Sequence, residues 1–397
     1  MRILLANSLF PDLGIGGSEQ STYYLARGLQ QLGHEVWVFS QNVHDETIVE
    51  DKDGVHVIRV QTKRGSEPNV YAEPHYQRLA AATQKAYPLD KQLAETLKQF
   101  RPDVVNTAVM GRVTSLWSVI KKSGATCVHT LRSYTALCHR RMIIEHDPCL
   151  RQCRDCAATR VAGRERSNVV DGVVGISSHI LKIHLRSGWF RDTPQRNVIA
   201  NSYEMAEGVE ASQAGFAKPY EFGYIGRLHH TKGVELFLEA LATLRAETGR
   251  PHPALIAGSG EPGFEWKLRN RYEDEHTRFV GYVTPAEFFE QTRYCVVPSI
   301  WFEPFGRIFI ESLHHGVPVI GSSRGGGSEI IREGRTGWLF DPTVPSLTDA
   351  LRRGSEVDAA GYGALRREAM ASAEDYSVLA IARQYERFYL AARETAR

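Results

Sequence analysis

The chain has 397 residues, 42% apolar and 24% charged, with a formal net charge of +2. That length asks for two domains, each large enough for its own core, and so small a net charge does not by itself imply nucleic acid. No run of about 18 apolar residues occurs, so no spanning helix is expected; the opening MRILLANSLFPD has too short an apolar stretch for a signal peptide, and a cytoplasmic location is the expectation.

RILLAN (2–7) reads as a short buried strand. GGSEQSTYYLARGLQQLG follows as a helix, with Ser18 as its N-cap and Tyr24, Leu25, Gly28, Leu29 and Leu32 on one face. Gly33 stops it. EVWVFS (35–40), VHVIRV (55–60), DVVNTA (103–108), ATCVHT (125–130) and GVVGIS (172–177) are further strands, several of them separated by helical stretches. Residues 204–219 lack periodicity and read as a linker. Beyond them EFGYIG (221–226) is a strand. The helix after it keeps Val234, Phe237, Leu238, Leu241 and Leu244 at i, i+3, i+4, i+7 spacing. ALIAG, a helix at 263–275, TRFVGY, a helix at 285–292, YCVVPS, a helix at 307–315, VPVIGS and GWLF complete the pattern. Strands alternating with helices imply an α/β fold with parallel sheets covered on both faces. We therefore expect two doubly wound domains, 1–203 and 204–375. Ligands of such sheets bind beyond the carboxyl ends of the strands, which makes the strand-to-helix loops the candidate sites.

Three loops stand out. LFPDLGIGGSE (9–19) comes near a dinucleotide fingerprint but fails it, because Glu19 stands where the third glycine belongs. Gly16 and Gly17 at a helix start still offer backbone N–H groups to an anion; the alternative is a flexible turn. GYIGRLHHTKG (223–233) places Arg227 after a strand and Lys232 at a helix start, two cations suited to a diphosphate, or else two surface charges. WFEPFGRIFIE (301–311) puts Glu303 before, and Glu311 within, an otherwise apolar helix. Phe305 and Gly306 present N–H groups at the start of that helix. Glu303 suits sugar hydroxyls and Glu311 a ribose diol, since a carboxylate on an apolar helix needs hydrogen bonds. The alternative for Glu311 is an ion pair with Arg307 or Arg324.

Taken together, GIGGSE, GRLHHTKG, EPFGRIFIE, HHGVPVIGSSRGGGSEII and GRTGWLFDP resemble the motifs of a family-4 glycosyltransferase (GT4) of the GT-B fold, across nearly the whole chain. VIANSYE is similar to the family's interdomain crossing, with Asn201-Ser202 in place of the usual Asn-Gly. YSVLAIARQYERFYLAAR is similar to its C-terminal helix, so 376–397 is expected to pack back on the first domain. The resemblance implies two Rossmann-like domains facing across a cleft, the first on the acceptor side and the second holding the nucleotide sugar. It implies a retaining hexosyltransferase using a UDP- or GDP-sugar on a glycan, lipid-linked or small-molecule acceptor, as in polysaccharide biosynthesis. Glu303 then touches the donor sugar and Glu311 holds the ribose. Phe305, Gly306 and Arg307 belong to the same motif. Arg227 and Lys232 neutralise the leaving diphosphate in place of a divalent metal, so no catalytic cofactor is expected. Gly16 and Gly17 close over the phosphates. One departure stands out: where relatives often carry His-Asp, this chain reads Arg132-Ser133, with His129 three residues earlier. Arg132 suits an anionic sugar, a phosphate or the acceptor. The departure keeps open a non-catalytic nucleotide-sugar-binding partner subunit. A GT-B nucleotide-sugar epimerase is a further alternative.

Cys138, Cys149, Cys153 and Cys156 are spaced C-x10-C-x3-C-x2-C, which reads as a structural zinc site before it reads as disulfides; the alternative is a solvated loop of unligated thiols. The segment 132–166 around them is rich in arginine, which suits an anionic acceptor or peripheral contact with the cytoplasmic face of a membrane.

Overall fold

The computed structural model describes residues 1–11, 16–42, 46–61, 89–110, 113–138, 143–144, 147–149, 152–204 and 215–396. The chain forms two units. One comprises Met1–Met142, Arg151–Ser202 and Ser377–Arg397, the other Ile143–Leu150 and Tyr203–Tyr376. The segment Ile143–Leu150, which the sequence reading kept in the first domain, groups with the second unit. Its two short strands, β7 (Ile143–Ile144) and β8 (Asp147–Pro148), pair with each other and with neither large sheet.

The first unit is built on β1 (Arg2–Ala6), β2 (Glu35–Gln41), β3 (Ile48–Lys52), β4 (Val55–Val60), β5 (Val104–Thr107), β6 (Thr126–Leu131), β9 (Gly172–Gly175) and β10 (Gln195–Val198). Their order is β10-β9-β6-β5-β1-β2-β4-β3, parallel throughout except at β3. The helices are α1 (Gly17–Gln31), α2 (Leu89–Phe100), α3 (Val113–Lys122), α4 (Arg154–Thr159), α5 (Val161–Ser167) and α6 (Ser178–Arg186), with α13 (Val378–Ala396) returning from the chain end. Ile3, Leu5, Leu25, Leu29, Val38, Val104, Tyr385 and Phe388 share one core. Gly28 of α1 lies so close to α13 that a Cβ there would stand 2.7 Å from Ala382 Cβ. Ser18 is not the N-cap of α1. Gly16 is, in an extended conformation, because the Ser18 hydroxyl donates to Asn7 Oδ1 at 3.0 Å. The weakly apolar edge strands β3 and β10 carry too little periodicity to be read in advance.

The second unit holds β11 (Tyr220–Ile225), β12 (Ala254–Ala257), β13 (Thr277–Gly281), β14 (Thr292–Val297), β15 (Val319–Ser322) and β16 (Gly337–Phe340), all parallel in the order β13-β12-β11-β14-β15-β16. Its helices are α7 (Val234–Thr248), α8 (Pro262–Tyr272), α9 (Pro285–Gln291), α10 (Arg307–His314), α11 (Val344–Ser355) and α12 (Ala359–Ala373). The five apolar positions predicted for α7 are buried and pack on Phe222, Ile256, Tyr294 and Leu351. Among the described residues no helix is long and apolar enough to cross a membrane.

Candidate functional site

A doubly wound sheet opens a crevice where its strand order reverses. In the second unit that point lies between β11 and β14, and three loops are tied together there. The N–H groups of Ile300 and Trp301 donate to the Thr231 carbonyl at 3.1 and 3.2 Å, joining the β14 loop to the β11 loop. Gly233 permits the approach: its φ is +71°, and a Cβ would fall 1.9 Å from the Pro298 carbonyl oxygen. The loop after β15 joins through the Gly326 N–H, which donates to the Glu303 carbonyl at 2.7 Å. Its neighbour Gly325, at φ +80°, would set a Cβ 2.4 Å from that same carbonyl oxygen.

These ties bring Lys232 and Glu303 together. The Lys232 ammonium pairs with Glu303 Oε1, and the Ser299 hydroxyl donates to the same oxygen at 3.0 Å. Lys232 Nζ also lies 5.7 Å from the Trp301 ring centroid. Arg227 leaves the end of β11 exposed to solvent. The Tyr224 hydroxyl donates to its carbonyl at 2.6 Å, and among the described residues its guanidinium makes no ion pair. Of Arg227 and Lys232 on the loop after β11, one is thus directed at solvent and the other held by a carboxylate.

Gly306 begins α10 without a side-chain cap, so backbone N–H groups face outward at its first turn. Phe305 is buried, its ring 6.4 Å from that of Tyr376. Glu311 pairs with Arg307 at 2.9 Å; burial raises its carboxyl, and the guanidinium opposes the rise. Arg307 therefore already offsets the buried charge on Glu311, and that charge alone does not call for a ligand. Arg324 is not its partner: Nη1 donates to the Ile300 carbonyl at 2.8 Å.

The first sheet reverses between β1 and β5. Asn7, fully buried at that point, accepts from the Ser18 hydroxyl at 3.0 Å and the Val109 N–H at 3.2 Å. Its amide donates to the Leu9 carbonyl at 2.8 Å. Asn7 positions the Gly16–Gly17 helix start, a role the sequence reading missed; the signal was an amide directly ending an apolar strand. Glu19, in the first turn of α1, is buried, and its carboxyl is raised by that burial, with its own backbone N–H and the Arg132 guanidinium acting against the rise. Arg132 follows β6, and its Nη1 donates to Asn201 Oδ1. Gly16, Glu19, Arg132 and Asn201 thus share one end of the first sheet.

His129 is a core residue. It is buried, 2.9 Å from the Thr107 hydroxyl, and stacked on Phe190. Burial, helped by His184, pushes its ring down to about 3. His184, also buried, is pushed down to about 4 mainly by burial. Both folded values lie below the unfolded value near 6.5, so the unfolded chain binds more protons in between. The stability these neutral rings confer is complete above pH 6.5 and is lost as pH falls toward 4 and 3. Each should cost about 2 kcal/mol by pH 5. A melting temperature unchanged from pH 7 to 5 would show that the rings titrate normally.

None of the six cysteines is joined in a disulfide. The Cys156 thiol, raised to about 12 by burial first, hydrogen-bonds with Cys138 and Cys153. Three of the four clustered cysteines thus meet within the first unit, while Cys149 belongs to the segment grouped with the second. Among the described residues no group of three or more His, Cys, Asp or Glu is disposed to hold a metal ion, so the spacing alone does not preform the expected four-sulfur zinc site.

The Glycosyltransferase Family 4 profile matches residues 15–186, and the profile described as Glycosyl transferases group 1 matches residues 219–355. The two stretches hold the Gly16–Gly17 start and the three tied loops. The chain belongs to the family-4 glycosyltransferases, with the GT-B fold. This glycosyltransferase is 26% identical to an uncharacterized 42.6 kDa protein in the cps region of Klebsiella pneumoniae, over 84% of its own length and 88% of the relative's. It is also 26% identical to glycogen synthase of Mycobacterium tuberculosis, over 100% of this chain and 96% of that one. In fold it is similar to sucrose-phosphate synthase from Thermosynechococcus elongatus, with a TM-score of 0.74, 20% identity and 98% of each chain covered. Anabaena HepE in complex with UDP and glucose aligns with a TM-score of 0.67 and 17% identity, again over 98% of each chain.

Proposed function

We propose that this glycosyltransferase is a retaining hexosyltransferase that moves a sugar from a nucleoside-diphosphate sugar, of the UDP- or GDP-sugar class, to a glycan, lipid-linked or small-molecule acceptor. The observation that carries the reading is the Lys232–Glu303 pair at the switch point of the second sheet, with Arg227 exposed on the same loop after β11. A diphosphate leaving group gains negative charge in a transition state resembling an oxocarbenium ion. Two fixed cations there stabilise it without a divalent metal. Glu303 is assigned to the donor sugar's hydroxyls, Glu311 to the ribose, and the uncapped start of α10 at Phe305–Gly306 to the phosphates. Gly16, Gly17 and Arg132 are assigned to substrate from the first unit. Relatives that include a glycogen synthase and a cps-region protein support polysaccharide biosynthesis, and the HepE complex supports a uridine nucleotide.

A thermal-shift panel of UDP-, GDP-, ADP- and TDP-sugars tests the donor. A true donor at about 100 times its dissociation constant stabilises the fold by about 2.7 kcal/mol; no shift with any of the four would overturn the assignment. Transfer is expected to persist in excess chelator. Loss restored by Mg²⁺ would move the diphosphate's charge compensation to a metal, and loss restored by zinc alone would locate the effect at the cysteines. A structural zinc there is a separate proposal, resting on the C-x10-C-x3-C-x2-C spacing of the cysteines. Elemental analysis of reduced protein is expected to find about one per chain; a zinc-free, active protein ends it.

The second reading, a nucleotide-sugar-binding subunit without turnover, is favoured by Arg132 standing in the family's His position while His129 is sealed in the core. Donor binding without transfer or donor hydrolysis would select it.

A further inference from the structure

Arg59 is the penultimate residue of β4 and stands at the carboxyl end of the first sheet, yet it is only 3% exposed. A buried guanidinium is tolerated only where its charge and its donors are met. Its Nε donates to Glu50 Oε1 of β3 at 2.6 Å. Nη1 and Nη2 donate to two successive backbone carbonyls, those of Phe10 at 3.3 Å and Pro11 at 2.9 Å. The Phe10 ring is itself fully buried. It lies 6.0 Å from the guanidinium carbon and 5.9 Å, edge-on, from the Tyr23 ring of α1.

The two carbonyl bonds serve something other than the sheet. β3 and β4 are already paired from Lys52 opposite Val55 to Ile48 opposite Arg59, so their ladder does not depend on the Nη donors. Phe10 and Pro11, 49 and 48 residues earlier in the chain, open the connection from β1 to α1, which ends at Gly16 and Gly17. Asn7 holds the far end of that connection through the Ser18 hydroxyl, and its amide holds the Leu9 carbonyl. Arg59 holds the next two carbonyls, which leaves residues 12–15 between the anchors. Without Arg59 the unanchored stretch grows to 10–15. The entropy of placing the glycine N–H groups against a ligand grows with it. A lysine does not replace the clamp, because one ammonium lacks the planar fork that meets a carboxylate and two carbonyls at once.

We propose that Arg59 is a positioning residue for sugar transfer: it fixes the entry of the glycine loop, so that the Gly16 and Gly17 N–H groups are held ready for the substrate's phosphates. It touches no substrate itself. The inference rests on the assignment of Gly16 and Gly17 to substrate under the proposed function.

The test takes the full chain with Arg59→Lys, which keeps a cation beside Glu50, and reads two quantities. Hydrogen exchange needs no substrate. Amides within residues 8–19 should exchange on the order of 10-fold faster than in wild type, the scale of a lost hydrogen bond to a charged group, while those of β2 stay as they are. Steady-state rates, measured well below the melting temperature, should show kcat/KM for the donor lowered by on the order of 10-fold or more and the acceptor KM unchanged. A role in stability alone would lower the melting temperature and move neither quantity. Glu50→Gln keeps an acceptor for Nε and leaves the carbonyl clamp in place, so it should retain wild-type kcat/KM. A loss in Glu50→Gln equal to that in Arg59→Lys overturns the proposal, because the effect would then come from the β3 edge. Unchanged exchange in 8–19 overturns it too, as does a loosened loop with unchanged kcat/KM. If Arg59→Lys does not fold, Arg59→Met combined with Glu50→Gln, which buries no unpaired charge, gives the same two readouts. A wild type that neither binds nor transfers from any donor defeats the proposed function instead; the exchange readout then still decides whether Arg59 fixes the loop.

Discussion

Replacing both Arg227 and Lys232 with alanine is expected to lower sugar transfer by at least about 10²-fold, the scale on which a lost electrostatic stabiliser acts. The fold should survive. Arg227 is exposed beyond β11, and the Lys232–Glu303 pair is partly open to solvent, with side-chain exposures of 33% and 12%; such pairs contribute little to stability. The Ser299 hydroxyl stays on Glu303 in the variant, so the carboxylate keeps a donor. Two measurements decide the outcome together, kcat/KM and the melting temperature. A low rate with an unchanged melting temperature locates the effect in the transition state. Near-wild-type turnover would place the diphosphate elsewhere on the molecule.

The two carboxylates of the β14 loop and α10 should separate by function. Glu311→Ala is expected to weaken binding of the free nucleoside diphosphate by roughly 1.5–3 kcal/mol, the range for a hydrogen bond to a charged group, which is on the order of 10- to 100-fold in the dissociation constant. It also leaves Arg307 without its partner, so Arg307→Gln is the control: if that variant weakens the nucleotide as much while Glu311 remains, the loss reflects the ion pair and not the ribose. Glu303→Gln should behave differently. It keeps the shape and an oxygen for Ser299, but it frees Lys232 from its paired carboxylate. Turnover should fall while nucleotide affinity holds or rises. Calorimetry showing the same loss for Glu303→Gln and Glu311→Ala would end the assignment of one to the sugar and the other to the ribose.

The three loops were legible because each lies between a strand and a helix whose periods are local properties. Glycines and charged residues at those junctions stand out against apolar neighbours. Arg132 was legible as a departure from the family pattern, but its partner was not: Asn201 lies 69 residues away. His129 was ambiguous for the same reason, since its core partners Thr107 and Phe190 come from other elements.

The sequence by itself determined the alternation of strand and helix, hence two doubly wound sheets, and it marked Arg227, Lys232, Glu303 and Glu311 as polar residues set where apolar periodicity breaks. Tertiary structure alone decided what each of them faces. Strand order is not written in any single segment; it follows from which sheet edges and helix faces bury each other best. It is the order β12-β11-β14-β15 that sets the loops after β11, β14 and β15 side by side and brings Lys232 to Glu303, 71 residues further on. The same long-range packing tied Arg324 to the Ile300 carbonyl and so left Glu311 to its helix neighbour Arg307, moved the start of α1 from Ser18 to Gly16 through Asn7, and sealed His129 in the core. Each of these outcomes is a competition among partners distant in sequence, settled by burial and hydrogen-bond satisfaction once the chain has folded.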